Sequence, residues 1–353
     1  MDDSGSVPAH RAMTATEGRA LVAGLLPARI PDRTGWSTDI YAAIAALQIA
    51  PTIQNICSVI AVTEQESGFE ADPAVPGLPR IARKAIDERR ERAGIPKLAL
   101  DAALALRSAD GRRYGERLDS VKTEKQLSEL FEDFIGMVPL ARTFLADHNP
   151  VRTGGPMQVS IAFAQAQADA ETYPYPIAAS VRHEVFTRRG GMYFGIAHLL
   201  GYPASYPSPL YRFADFNAGR YASRNAAFQH AVSELSGIPL ALDGDLLRYE
   251  RGRPVDEASA TETATRLLAR RIDMDHAGIR RDLALADGPA FEKSNLFERV
   301  FTLADRTTGQ AVPRAMLPGI ALKGPKITRK LTNEWFATRV DTRYKGCLKR
   351  GKA

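Results

Sequence analysis

Three short strings carry side chains suited to chemistry. The first is Glu64-Gln65-Glu66-Ser67-Gly68-Phe69, which ends an apolar segment. A carboxyl at the end of such a segment loses hydration, which disfavours its charged form and raises its pKa toward a value useful for donating a proton near neutrality. A glutamate held this way can protonate a glycosidic oxygen. Glu64 and Glu66 diverge on a helix because they are two positions apart, so at most one of them is the acid. The second string is Gly154-Gly155-Pro156-Met157-Gln158, in which the Gln158 amide both donates and accepts. The third is Phe213-Ala214-Asp215-Phe216-Asn217-Ala218-Gly219, with a second amide at Asn217. Each has a plainer reading. The glutamates can pair with cations such as Arg80 and Arg83, and Gln158 can cap a helix.

The elements that must position these side chains are helical. Apolar periodicity predicts helices over 14–26, 37–49, 51–67, 77–93, 95–107, 123–135, 156–171, 179–200, 209–236, 259–272 and 291–306, separated by Pro, Gly, Asn or Asp clusters. The fold class is mainly α, with short strands possible only near 246–256 and 317–322. In 51–67, Ile53, Ile56, Cys57, Ile60 and Glu64 share one face, while Val59, Val62 and Glu66 fall on the other. A helix apolar on both sides is buried. Residues 77–150 are rich in charge and read as a helical insertion. Tyr202–Pro209 holds three prolines and reads as an ordered loop. Beyond Gly237 the pattern loosens, which divides the chain into 14–237 and a C-terminal extension, 238–353.

Composition narrows the class further. The 353 residues are 44% hydrophobic and 25% charged, sufficient for a sizeable core. No run of about 18 apolar residues is present, so no membrane span is expected. Met1-Asp2-Asp3-Ser4-Gly5-Ser6 does not read as a signal peptide, so export would need a targeting segment outside these residues. A net charge of +6 favours an anionic partner, densest from Lys323 to Lys352, where a basic tail reads as a solvated end; no nucleic-acid motif accompanies it. Cys57 reads as a buried free thiol, and Cys347 can reach it only if the fold brings the chain ends together. Asp273-Met274-Asp275-His276 lacks a partner cluster, so neither a metal nor another cofactor is expected.

The three strings in this order resemble the motifs of the lytic transglycosylases. Gln65-Glu66-Ser67-Gly68-Phe69, Gly155-Pro156-Met157-Gln158 and Phe216-Asn217-Ala218-Gly219 match successive family motifs, and Arg189-Gly190-Gly191-Met192-Tyr193-Phe194 is similar to the helix preceding the third. Pro156 replaces a more usual Leu, and Phe216 stands where the family has Tyr. The resemblance covers about 50–75 and 154–225. It implies a lysozyme-like helical domain, with Glu66 as the single acid/base and substrate contacts from Ser67, Phe69, Met157, Gln158, Tyr193, Phe216, Asn217 and Tyr211; Tyr202 and Tyr206 are further candidates for stacking on sugar rings. His198 is expected to be a satisfied or exposed histidine. The implied partner is the glycan strand of peptidoglycan, in the bacterial periplasm or cell envelope, an outer-membrane lipoprotein among the options. A hydrolytic muramidase on the same fold and a non-catalytic peptidoglycan-binding protein are the alternatives.

Overall fold

In a computed structural model the protein is mainly helical, and the structure describes residues 13–137, 149–250, 253–322 and 330–352. The first helices, α1 (Ala15–Leu25), α2 (Arg33–Ala46) and α3 (Ile53–Glu66), surround the start of the core. Thr14 and Glu17 form a reciprocal capping box on α1, and Thr52 accepts from the Asn55 N–H to open α3. From Ile56 to Thr63 every side chain of α3 is buried, as its two-sided apolar pattern requires.

The charged segment forms α4 (Leu78–Arg92), α5 (Lys97–Ala105), α6 (Tyr114–Ser120) and α7 (Glu124–Met137). Ala74 bridges Thr123 and the Val75 N–H donates to Lys122 O at 2.9 Å, which closes a loop around α4, α5 and α6 and leaves α7 outside it. Residues 138–148, the end of the expected insertion, lie outside the described residues.

Residues 156–171 do not form one helix. Thr153–Gly154 (β1) and Val159–Ser160 (β2) make an antiparallel hairpin, and α8 begins only at Ile161 (Ile161–Ala170). Gly155 and Gln158 both take left-handed backbone, at φ 72° and 49°, so the chain turns where a helix would have to continue. Pro156 therefore sits in a turn and not at a helix start. The expected 179–200 helix is likewise broken into α9 (Val181–Val185) and α10 (Arg188–Leu200), and 209–236 into α11 (Pro209–Ala218) and α12 (Ala222–Ser236). At the second break Gly219 has φ 112° and Tyr221 has φ 66°.

A second apolar cluster gathers Phe228, Val232, Ala264, Ile279, Leu283, Phe291, Val300 and Phe301 from α12, α13 (Ala260–Leu267), α14 (His276–Leu283), the 3-10 turn Pro289–Lys293 and α15 (Asn295–Thr308). At its edge the buried Arg224 donates to Asn225, Ala286 and Gly288. Asp275 caps α14 through the Gly278 N–H at 2.7 Å, and Asp273 is exposed. Strands Tyr249–Glu250 (β3) and Arg253–Pro254 (β4), and Ala321–Leu322 (β5) and Leu331–Thr332 (β6), form two further short antiparallel pairs; β3, β4 and β5 fall in the regions expected, and β6 lies beyond them.

The last helix, α16 (Asn333–Arg350), corrects two expectations. Within the basic region it is an ordered helix that returns to the first core, burying Phe336, Ala337, Val340, Tyr344 and Cys347. Residues 323–329 of that region are outside the described residues. Cys57 is not a free thiol: it is disulfide-bonded to Cys347, with the Cα atoms 5.5 Å apart. The apolar stripe at 336, 340, 344 and 347 seats α16 antiparallel along α3, which brings the two sulfurs together.

Candidate functional site

Helix α10 is the element around which all three strings collect. Its glycines let the hairpin backbone approach: a Cβ on Gly191 would collide with the Pro156 ring, and one on Gly195 would lie 2.5 Å from Met157 Sδ. Gly155 must be glycine twice over, because its φ is positive and a Cβ would strike Val185 O. Met157 is wholly buried in this contact, so it shapes the site from behind. Gln158 is partly exposed, and its Nε2 donates to Gly155 O at 3.3 Å.

Glu66 is the last residue of α3 and is partly buried. Its helix touches α10 where Thr63 Oγ1 lies 3.8 Å from Met192 Sδ. Ser67 caps the helix, its hydroxyl donating to Thr63 O at 3.2 Å, so that hydroxyl is occupied by the helix end. Gly68 and Phe69 then both take left-handed backbone, unusual for a bulky residue such as Phe69 at φ 70°. Phe69 is buried edge-on against Trp36, centroids 5.2 Å apart. Arg188, in the first turn of α10, lies over the Trp36 ring and binds Asp32 and Asp39 at 2.5 Å each. The turn after Glu66 is thus tied to the start of α10.

Glu64 has a different environment. It is ion-paired to Arg29, which is mostly exposed. The cations named as its partners from sequence are not the ones used; Arg83 binds Asp119 at 2.6 Å.

The third string lies on α11. His198 of α10 sits between Phe163 and Phe216, centroids 4.7 and 5.0 Å away, with Nε2 3.1 Å from Phe216 O. Burial lowers its pKa to about 4, so it is neutral near pH 7 and Nε2 donates. Phe216 is buried, so its ring packs on His198 and offers little open face. Asp215 is wholly buried, and burial pushes its carboxyl upward against the opposing pull of its donors. It accepts from Tyr206 Oη at 2.6 Å, Tyr202 Oη at 3.1 Å, and the N–H groups of Tyr221 and Ser223. Tyr202 and Tyr206 are therefore loop anchors in this structure, with Arg212 and Arg220 over the Tyr202 ring. Tyr211 is half-buried, its ring 5.7 Å from that of Tyr206. Tyr193 is buried against Tyr173 and lines a cavity of about 430 Å³ with Gln48, Gln167, Glu171 and Thr172.

Asn217 is exposed, and its Nδ2 donates to Asn333 Oδ1 at 2.9 Å. From the disulfide, Glu66 is nine residues up α3 and Asn333 is fourteen residues up the antiparallel α16. At about 1.5 Å per residue this sets Asn333 roughly 7 Å beyond Glu66 along the shared axis. The ends bearing Glu66, Asn217 and Asn333 thus lie at the same end of the helix pair.

Residues 29–350 match the family model described as Protein of unknown function (DUF1615). The chain belongs to the DUF1615 family. This DUF1615 protein is 52% identical over 342 residues to the Escherichia coli (strain K12) protein named Uncharacterized protein YaiW, covering 97% of this chain and 92% of that one. No solved structure matches it.

Sequence reasoning about this DUF1615 chain missed Asn333 and the whole of α16. The signal was the stripe Phe336, Val340, Tyr344, Cys347, interrupted on every other face by charge. Among the described residues no group of three or more His, Cys, Asp or Glu could hold a metal ion.

Proposed function

We propose that this protein is a lytic transglycosylase acting on the glycan strands of peptidoglycan. The reading is carried by one observation: three strings separated by up to 150 residues are gathered around one helix, with their turns held in unusual backbone. Six non-glycine residues have positive φ among the described ones, and Phe69, Gln158 and Tyr221 of these lie in or beside the strings. Left-handed backbone at bulky residues costs stability and concentrates at functional sites.

In this reading Glu66 protonates the oxygen linking N-acetylmuramic acid to N-acetylglucosamine, and that C–O bond breaks. The substrate's own N-acetyl oxygen stabilises the anomeric carbon, as in substrate-assisted glycosidases. Glu66 then takes the proton of the 6-hydroxyl as that oxygen bonds to the anomeric carbon, leaving a 1,6-anhydro end without consuming water. Gln158 and Asn217, the partly or fully exposed amides, hold the sugar substituents. Met157, Tyr193, Phe69 and Phe216 are buried and support this surface from beneath. The disulfide favours an oxidising compartment, which agrees with the periplasm or envelope where the substrate lies.

The test is to incubate purified sacculi with wild type and Glu66→Gln and analyse released muropeptides by mass spectrometry. Anhydro ends from wild type alone support the reading, and reducing ends would assign a hydrolytic muramidase instead. The buried Phe216, lacking the hydroxyl of a Tyr, is the observation that favours a second reading, a binding protein without turnover. That protein would sediment with sacculi and release nothing.

A further inference from the structure

We infer that Asn333, at the first turn of the C-terminal helix, is a positioning residue for the glycan site, fixing the Asn217 amide that receives the substrate's N-acetyl group. The inference rests on the transglycosylase reading and adds to it a residue from the far end of the chain.

Three observations carry it. Asn217 is exposed, yet one of its amide hydrogens is spoken for by Asn333 Oδ1 at 2.9 Å. An amide held by one N–H cannot swing freely, and its remaining N–H and its carbonyl oxygen stay available. An acetamido group presents one acceptor and one donor, which a fixed carboxamide can meet at both points.

Asn333 is itself wholly buried, and its Nδ2 has no hydrogen-bond partner among the described residues. Its backbone N–H is used by Ile320 O at 2.9 Å, and the helix start is capped by Thr332, which accepts from the Trp335 N–H. Helix capping therefore does not require the Asn333 side chain. A buried donor without an acceptor is unfavourable, and an apolar residue of similar shape would avoid it. What the side chain does accomplish here is the bond to Asn217.

The helix that carries Asn333 cannot slide. Cys347, fourteen residues further along it, is bonded to Cys57 on the helix that ends in Glu66. The staple thereby sets the height of Asn333, and through it the Asn217 amide, relative to Glu66.

The test compares wild type with Asn333→Leu, Asn333→Asp, Asn217→Leu and the Asn333→Leu/Asn217→Leu pair. Four quantities are measured on the full chain: affinity for purified sacculi, kcat and KM for release of soluble muropeptides, and melting temperature. Asn333→Leu should weaken substrate affinity about tenfold at unchanged or higher melting temperature. Asn333→Asp, which keeps an acceptor for Asn217, should stay within about threefold of wild type. Because both residues act through one bond, the pair should be no worse than Asn217→Leu alone. Should the Leu variant not fold, Asn333→Ala takes its place. Wild-type affinity and KM in the Leu variant, or effects that multiply in the pair, overturn this inference and leave the transglycosylase reading standing. A wild type that neither binds nor cuts sacculi overturns both.

Discussion

Cys57 and Cys347, 290 positions apart, are joined by a disulfide inside the first core, so α16 is tied covalently to α3. A crosslink closing so long a loop removes much of the freedom of the unfolded chain. The Cys57→Ala/Cys347→Ala variant, and wild type under strong reductant, should each lose about 2–5 kcal/mol of stability. Urea titration in oxidising and reducing buffer measures this directly; equal midpoints in both buffers would contradict it.

The contrast between α3 and α16 shows what the sequence discloses. In α3 apolar side chains fall on both faces between Ile56 and Val62, so its burial is legible from periodicity. In α16 the buried stripe is one residue wide and crossed by Arg339, Arg343, Lys345 and Lys349, so the segment resembles a solvated tail. Its burial follows from the groove along α3 that it fills, a tertiary fact absent from local pattern. The hairpin at 153–160 was hidden for a related reason: Pro and Met-Gln fit a helix start locally, and only close packing on the α10 glycines fixes the turn. Of the candidate site residues, Glu66, Gln158 and Asn217 are legible as strings. Asn333 has no string of its own, and the role inferred for it comes from a contact 116 residues away.

His198 provides a pH dependence. Its folded pKa, lowered by burial to about 4, lies below the ordinary value near 6.5, so the unfolded chain binds the proton more readily. The contribution of the neutral imidazole is therefore complete above pH 6.5 and lost as pH falls toward 4. At about 1.4 kcal/mol for each tenfold step it amounts to roughly 3 kcal/mol at most. The pH dependence of unfolding between 4 and 7 should be flatter in His198→Gln, and imidazole proton resonances should titrate near 4 in the wild type.

Gly191 and Gly195 are the points at which α10 admits the hairpin. Adding a methyl to Gly191 drives it into the Pro156 ring, and adding one to Gly195 drives it into Met157. Overpacking of this kind typically costs about 1–3 kcal/mol and moves backbone. Both Gly→Ala variants should therefore melt earlier than wild type and lose activity on sacculi beyond what their stability explains, since the displaced turn carries Gln158. Gly68→Ala offers a comparison: open space surrounds its Cβ, so its penalty should come from backbone strain at φ 62° alone.

The two glutamates at the end of α3 should separate cleanly. Glu64 is bound to the exposed Arg29, and a pair open to water on one side is worth at most about 1 kcal/mol. Glu64→Gln should therefore unfold within that margin of wild type and release muropeptides within about twofold of its rate. Glu66 carries the proton in the proposed reaction, and removing a general acid typically lowers turnover about 10²–10⁴-fold. Glu66→Gln should show that loss with sacculus binding retained, since the amide keeps the shape of the carboxyl. Loss of turnover in Glu64→Gln with activity kept in Glu66→Gln would transfer the acid role to the neighbour that faces Arg29.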